Sequence, residues 1–242
     1  MQWNHGDLYR AVLAMYGDEY AKELKPIIHS FYWKFRIAEY HIREAKDVFT
    51  RKLADDEVQR QVKLLKAMFG GLGDAEMEQI GNLLLENEAH IIAYAQTVHS
   101  VADNLASIIY YSVNFKKEFK EFKQDKYYLS DIKNELQKKQ IYDEIVKKID
   151  NLLMSKEFDY LSAFTNTIKH TRLLDHDTLT IAMISTENHG LVFNTFRYKK
   201  DKKDKIYQQK NANKIIDSEY YQLKRLYLEI GIAVNNVLIP SP

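Results

Sequence analysis

The sequence predicts a mainly α protein: a multi-helix bundle of long antiparallel helices, with a small β-hairpin inserted near residues 178–198. The 242 residues include only eight Gly and three Pro, and helix interiors tolerate few of either. Long stretches repeat apolar residues at alternating steps of three and four, which is the spacing of one helix face. With 45% hydrophobic residues the chain can build a substantial core, and we expect a single domain over residues 1–242.

Two helices are expected in the N-terminal part of the chain. Pro26 suits a first helical turn, because its missing N–H is no loss there. The apolar face that follows is formed by Ile28, Phe31, Phe35, Ala38, Ile42, Ala45 and Phe49. The second helix is expected to start after Asp55 or Asp56, and its apolar residues share one face: Val58, Val62, Leu65 and Phe69. Gly70-Gly71 is predicted to end it.

The rest of the bundle follows from the same periodicity. Residues 74–113 are expected to form one long helix, because Gly81 is the only glycine among them. Ser130 and Asp131 are predicted to open the next helix. The helix after Ser155 is predicted to face inward with Phe158, Leu161, Phe164 and Ile168. The last helix carries its apolar residues at Ile216, Tyr220, Leu223, Tyr227, Ile230, Val234 and Val237.

The residue composition changes between the last two predicted helices. Residues 178–184 are β-branched and partly alternate, and residues 191–196 form a second strand candidate. Between them, residues 187–190 read Glu-Asn-His-Gly, which is typical of a turn. Together these segments predict a β-hairpin. The lysine-rich tract at 199–205 is expected to be a solvated loop.

Several classes of site are excluded by what the sequence lacks. Without Cys there is no disulfide, no thiolate zinc site and no cysteine nucleophile. No Gly-rich phosphate loop and no H-E-x-x-H motif occur, and the eight His show no metal-ligand spacing, so we expect no metal and no cofactor. With no secretory signal at the N-terminus and no run of about 18 apolar residues, we expect a cytoplasmic protein without a membrane association.

A first polar cluster interrupts the long helix. His99 and Asp103 are four residues apart, so we expect both side chains on the same side of that helix. A carboxylate one turn away can hold an imidazole in one tautomer and raise its pKa. The alternative is a half-buried ion pair that only fixes the register between helices.

A second polar cluster lies near the end of a later helix. Asn166 and His170 are also four residues apart, and Lys169 and Arg172 flank them with positive charge. A His beside two cations suits phosphate chemistry, since the His can move protons and the cations can stabilise a phosphoryl group. The alternative is an ordinary helix C-terminus, where Lys, His and Arg complement the helix dipole.

A third segment combines aromatic and basic residues. Between residues 115 and 128 the lysines are Lys116, Lys117, Lys120, Lys123 and Lys126. Such a stretch can contact nucleic acid. The alternative is a solvated connection with buried aromatic side chains.

The run Phe164-Thr165-Asn166-Thr167-Ile168-Lys169-His170, with His99-x-x-x-Asp103 on an earlier helix, resembles the HEPN superfamily (higher-eukaryote and prokaryote nucleotide-binding domains), and is most similar to an uncharacterised bacterial branch of it. The resemblance covers residues 75–238, and we expect helices in residues 25–70 to pack on that bundle. It implies a helical bundle that forms homodimers. Many such domains are metal-independent endoribonucleases of toxin–antitoxin and phage-defence systems, and others bind RNA, nucleotides or partner proteins.

The resemblance also implies roles for the residues. The catalytic pattern of the family is Arg, a polar residue, three further residues and His. His170 matches the His, Asn166 matches the polar residue, and Thr165 stands where the Arg is expected. In this interpretation His170 is an acid or base, Asn166 orients the scissile group, Lys169 and Arg172 contact phosphate, and His99 with Asp103 supports the site. The competing hypothesis is a non-catalytic helical module that binds a protein partner, such as an antitoxin.

Overall fold

Helices dominate the protein, and the predicted mainly α fold with a small antiparallel hairpin is confirmed. The computed structural model describes residues 2–52, 56–120, 122, 128–171, 173–174, 176–177, 191–200 and 203–239. The helices are α1 (His5–Tyr16), α2 (Asp18–Lys52), α3 (Glu57–Met68), α4 (Asp74–His99), α5 (Val101–Ser112), α6 (Phe115–Glu118), α7 (Leu129–Leu136), α8 (Asp143–Leu153), α9 (Lys156–His170), α10 (Ala212–Ile216) and α11 (Ser218–Leu238).

The N-terminal helices begin earlier than the sequence suggests. The side chain of Asn4 caps α1 by accepting a hydrogen bond from the backbone N–H of Asp7 at 3.2 Å. Gly17, with a φ of 84°, separates α1 from α2. Because α2 already begins at Asp18, Pro26 lies inside this helix, and the prediction that it occupies a first turn is wrong.

The long helix predicted over residues 74–113 is broken at Ser100 into α4 and α5. The hydroxyl of Ser100 donates a hydrogen bond to the backbone carbonyl of Thr97 at 2.8 Å, a contact that bends helices. The backbone carbonyl of Ser100 accepts a hydrogen bond from the Lys34 ammonium at 3.0 Å. The break therefore comes from side-chain hydrogen bonds at a position where the apolar periodicity continues without a gap.

The strands follow α9 in the chain. They are β1 (His176–Asp177), β2 (Val192–Phe193), β3 (Phe196–Lys200), β4 (Lys203–Tyr207) and β5 (Lys210–Asn211). β2 pairs with both β1 and β5 in a small antiparallel sheet, and β3 pairs with β4 as a separate antiparallel hairpin.

The hairpin predicted near residues 178–198 agrees in part with the antiparallel pair of β1 and β2, because β2 lies within its second strand candidate, residues 191–196. Residues 178–190, where its first strand and turn were expected, lie outside the described residues. A separate hairpin, formed by β3 and β4, follows further along the chain, so the prediction of a solvated loop at 199–205 is wrong. At its base, the rings of Phe196 and Tyr207 are buried and stack with centroids 5.2 Å apart, which fixes the strand register.

The chain divides into two compact units by its internal contacts. Unit 1 comprises Met1–Arg36, Thr97–Asp159 and Tyr221–Pro242. In its core the rings of Trp3 and Phe31 meet edge to face, with centroids 5.3 Å apart. The buried hydroxyl of Tyr227 donates a hydrogen bond to the backbone carbonyl of Val98 at 3.0 Å.

Unit 2 comprises Ile37–Gln96 and Tyr160–Tyr220. The rings of Phe164 and Phe193 pack edge to face with centroids 4.7 Å apart. The buried hydroxyl of Tyr94 donates a hydrogen bond to the backbone carbonyl of Ile215 at 3.0 Å. The expectation of one domain over residues 1–242 remains a prediction.

Helix α3, in unit 2, has apolar residues on two faces. Leu64 and Ala67 are buried in a cluster with side chains of α2 and α4. The face indicated by the sequence is the other one: Val58 is 65% exposed, Val62 43% and Phe69 72%. Periodicity alone does not say which of two apolar faces a protein covers.

Within the described ranges, no helix combines the length and the apolar character that are needed to cross a lipid bilayer.

Candidate nucleic-acid interface

The last turn of α9 presents the second polar cluster of the sequence. Lys169 and His170 are exposed, and Asn166 is half-buried one turn earlier. The amide nitrogen of Asn166 lies 3.4 Å from the hydroxyl oxygen of Ser162, to which it donates. The spacing of three and four residues places these side chains on neighbouring parts of one helix surface. Arg172, the fourth residue predicted for this site, lies outside the described residues.

Thr165, at the position where the resemblance expects an Arg, faces the interior of unit 2. Its exposure is 0%, and its hydroxyl has no hydrogen-bond partner among the described residues. The next residue but one, Thr167, is also buried, but its hydroxyl donates to the backbone carbonyl of Ala163 at 2.8 Å. Thr165 is therefore part of the core and presents no group to a phosphate at the exposed end of α9.

The first polar cluster belongs to unit 1, whereas Asn166, Lys169 and His170 belong to unit 2. The helix break at Ser100 falls between His99 and Asp103. The imidazole of His99 is half-buried and stacks on the ring of Phe158, with centroids 5.8 Å apart and an interplanar angle of 9°. Asp103 is exposed. This stacking gives His99 a packing role within unit 1.

The hairpin of β3 and β4 adds a basic surface to unit 2 that the sequence reasoning missed. Among its described side chains, four exposed cations accompany one exposed carboxylate, Asp204. The cations are Arg197, Lys199, Lys203 and Lys205. Lys199 lies directly opposite Asp204 in the ladder, so the remaining three cations carry the excess positive charge of the hairpin.

An aromatic base attaches this hairpin to α9. The ring of Tyr160 meets those of Phe196 and Tyr207 edge to face, with centroids 5.6 and 6.1 Å away. The Lys210 ammonium lies 3.8 Å from the centroid of Tyr160 and 2.8 Å from a carboxylate oxygen of Glu219. Burial, together with the charge of Glu219, raises the pKa of Tyr160 above its ordinary value, which keeps the phenol neutral.

Because of these contacts, Lys210 serves the packing of unit 2. Within the hairpin, the Lys205 ammonium lies 5.1 Å from the ring centroid of Tyr207, and Arg197 and Lys203 are exposed. A signal for this structure was present in the sequence. Residues 196–199 alternate aromatic and basic side chains, and the apolar pair Ile206-Tyr207 follows the charged tract. The alternation with a period of two was hard to recognise in the sequence because the tract is so rich in lysine.

The aromatic–basic segment between residues 115 and 128 combines buried aromatic side chains with exposed lysines. Phe115 and Phe119 are buried in unit 1, as the solvated-connection hypothesis expects of the aromatic side chains. Lys116, Lys117 and Lys120 are exposed. Lys123 and Lys126 lie outside the described residues.

Among the described residues, no three His, Asp or Glu side chains converge in an arrangement that could hold a metal ion. Comparisons of the chain with protein-family models, with curated proteins and with solved structures find no match.

Proposed function

We propose that this protein binds RNA through unit 2, with the basic hairpin contacting the phosphates and the end of α9 supplying a candidate acid or base for cleavage. The observation that carries the proposal is the excess of exposed cations on a hairpin whose aromatic base is fixed to α9. Lys and Arg side chains that neutralise phosphates supply most of the affinity in non-specific nucleic-acid binding. Two-stranded ribbons of this kind are an established way to present such contacts.

The end of α9 is suited to proton transfer at a bound strand. His170 is exposed, so a ribose hydroxyl or a leaving oxygen can reach its imidazole. Lys169 is exposed beside it and supplies the charge that buried Thr165 does not. The resemblance of this helix to HEPN domains supports RNA over DNA as the ligand, and it supports a role as a ribonuclease of a bacterial defence or toxin–antitoxin system.

The binding part is tested with the double variant Arg197→Gln/Lys203→Gln, which removes two of the three cations that carry the excess charge, and a fluorescent single-stranded RNA. We expect the affinity at low salt to fall about tenfold, at roughly 0.7 kcal/mol for each of the two exposed ion pairs lost. The slope of log K against log salt should flatten by about 0.7 for each lost phosphate contact. The matched control is Lys116→Gln/Lys117→Gln, which removes the same charge from unit 1.

The cleavage part is tested by incubating the protein with total RNA and with tRNA in EDTA. We expect cleavage by the wild type and none by His170→Ala, with both proteins melting at the same temperature because His170 is exposed. Cleavage that survives in the purified variant contradicts the role of His170. RNA binding without any cleavage assigns unit 2 to binding alone.

A second candidate function, a protein-interaction module, is favoured by the exposed face of α3. The apolar positions 58, 62, 65 and 69 follow steps of four, three and four, which is the seam spacing of a coiled coil. Val58, Val62 and Phe69 are exposed. A second copy of the chain carries the same seam and is the partner that we propose for it, in agreement with the homodimer that the HEPN resemblance implies.

This second candidate predicts concentration-dependent self-association. In sedimentation velocity the wild type should form dimers, and Val62→Glu/Phe69→Glu should remain monomeric, because the exposed side chains contribute little to the fold. A monomeric wild type, or a variant that still dimerises, contradicts this use of α3.

A further inference from the structure

A cavity of about 430 Å³ opens between α1 and α2, within unit 1. This volume is in the range of about 300–1,000 Å³ that is typical of small-molecule sites. From α1 the lining residues are His5, Gly6 and Tyr9. Gly6 and Tyr9 follow His5 by one and four residues, which places all three on adjoining parts of one helix face. That face borders the cavity along the first turns of the helix.

The α2 side of the cavity contributes an ammonium group together with apolar and aromatic surface. The lining residues are Lys25, Ile28, His29 and Tyr32, at steps of three, one and three. Ile28 is buried and supplies an aliphatic surface. The spacing places all four on one face of the helix, directed at the same space as the lining residues of α1.

Flat rings form much of the cavity wall. The ring of His5 lies 4.6 Å from that of Tyr32, centroid to centroid. The hydroxyl of Tyr32 donates a hydrogen bond to the backbone carbonyl of Trp3 at 3.1 Å, which fixes the orientation of this ring. Burial raises the pKa of Tyr32 to about 12, so this part of the wall stays uncharged. Together with Tyr9, these rings offer stacking surfaces to a planar ligand.

The lining residues of the cavity include a cation but no anion. They include one ammonium group and two imidazoles, and no carboxylate. Lys22, one turn before Lys25, forms an ion pair with Asp18 at 2.6 Å. For Lys25, no ion pair occurs among the described residues, so its ammonium remains available at the mouth of the cavity. A concave surface with this balance attracts anions.

We propose that this cavity binds a small planar aromatic anion, with its ring against the aromatic wall and its anionic group facing Lys25. Nucleoside monophosphates and aromatic carboxylates share this chemistry. The proposal does not rest on the RNA-binding function, because every lining residue belongs to unit 1 and the proposed RNA site belongs to unit 2.

The test is isothermal titration calorimetry with four probes: adenosine monophosphate, adenosine, benzoate and inorganic phosphate. We expect the monophosphate or benzoate to bind, and adenosine and phosphate to bind at least about fivefold more weakly. Lys25→Gln should weaken the bound anion about fivefold, as the loss of one exposed ion pair. Tyr9→Ala should weaken it about tenfold by removing a stacking surface. The matched control Lys22→Gln should leave the affinity unchanged.

The position of the bound probe can be read from the two tryptophans of the chain. The ring of Trp3 lies 6.1 Å from that of Tyr32, and the ring of Trp33 stacks on that of His29 at 5.8 Å. Both indole N–H signals in a nitrogen–proton NMR spectrum should shift on binding. The proposal is overturned if neither aromatic anion binds, or if phosphate alone binds equally well. It is also overturned if binding leaves both indole signals and the Lys25→Gln affinity unchanged.

Discussion

The indole of Trp3 lies directly against the Cα of Gly231. A Cβ built at position 231 would meet the ring atoms of Trp3 at 2.4–2.6 Å, closer than any van der Waals contact allows. The indole cannot move aside easily, because it is 1% exposed and its N–H donates to the side-chain oxygen of Asn235 at 2.9 Å. A residue near the N-terminus is thereby packed on the last helix in the core of unit 1.

This contact predicts that Gly231→Ala destabilises the protein, although alanine is the better helix former. We expect a loss of about 1–3 kcal/mol in the free energy of unfolding, which is typical of overpacking. Gly81→Ala, in the exposed part of α4 with nothing near its added Cβ, is the matched control and should gain about 0.5–1 kcal/mol. Denaturant unfolding of both variants checks the pair, and equal effects at the two glycines would contradict the contact.

The buried hydroxyl of Thr165 predicts that Thr165→Val is neutral or stabilising. A buried hydroxyl without a partner costs about 1–3 kcal/mol, and valine removes it while keeping the β-branched shape. We expect a gain of up to about 1 kcal/mol in thermal or denaturant unfolding. Thr167→Val, which breaks the hydrogen bond to Ala163, should lose about 1 kcal/mol.

The same burial predicts the outcome of placing at position 165 the Arg that the HEPN pattern has there. Thr165→Arg places a guanidinium at a position with 0% exposure, so the variant should lose several kcal/mol of stability or fail to fold. A folded Thr165→Arg protein with new or faster RNA cleavage would contradict the assignment of this position to the core.

Stability should depend on pH through a pair of histidines in unit 2. The Nδ1 atoms of His41 and His90 are 3.0 Å apart, a hydrogen bond that holds one proton between them. Burial, and then the charge of His90, lowers the pKa of His41 below its ordinary value of 6.5, and Glu44 partly opposes the shift. Near His90, the Glu86 carboxylate lies 4.0 Å from its Nε2, and the Tyr40 ring contacts both imidazoles.

The direction in which stability changes with pH follows from the protons that the folded and unfolded states bind. Below about pH 6.5 the unfolded chain binds a proton at His41 that the folded protein resists, so stability falls as the pH falls through that value. We expect the melting temperature of the wild type to drop more between pH 7.5 and pH 5.5 than that of His41→Gln, which cannot titrate. Parallel curves for the two proteins would contradict a lowered pKa of His41 in the folded protein.

Periodicity predicted the helices well where one face is apolar. Phe158, Leu161 and Phe164 of α9 are buried as expected, and so are most of the apolar positions predicted for α11. Periodicity failed where a local hydrogen bond decides the structure, as at Ser100, because a helix break need not interrupt an apolar face. It also gave no means of choosing between the two apolar faces of α3.

The site was predictable only in part. The exposure of Lys169 and His170 agrees with their position at a helix end, but the burial of Thr165 depends on how α9 packs in unit 2. The hairpin of β3 and β4 was missed because its strands have almost no apolar residues beyond Phe196, Ile206 and Tyr207. What holds it is the edge-to-face packing of its base against Tyr160, a contact distant in sequence that charge patterning does not reveal.

RNA binding by the hairpin variant tests the central claim most directly. The affinity of a fluorescent single-stranded RNA is measured for the wild type, for Arg197→Gln/Lys203→Gln and for Lys116→Gln/Lys117→Gln. The proposed function predicts a loss of about tenfold and a flatter salt dependence for the hairpin variant alone. Equal affinities for all three proteins, or equal losses in both variants, would contradict a phosphate-binding role for the hairpin.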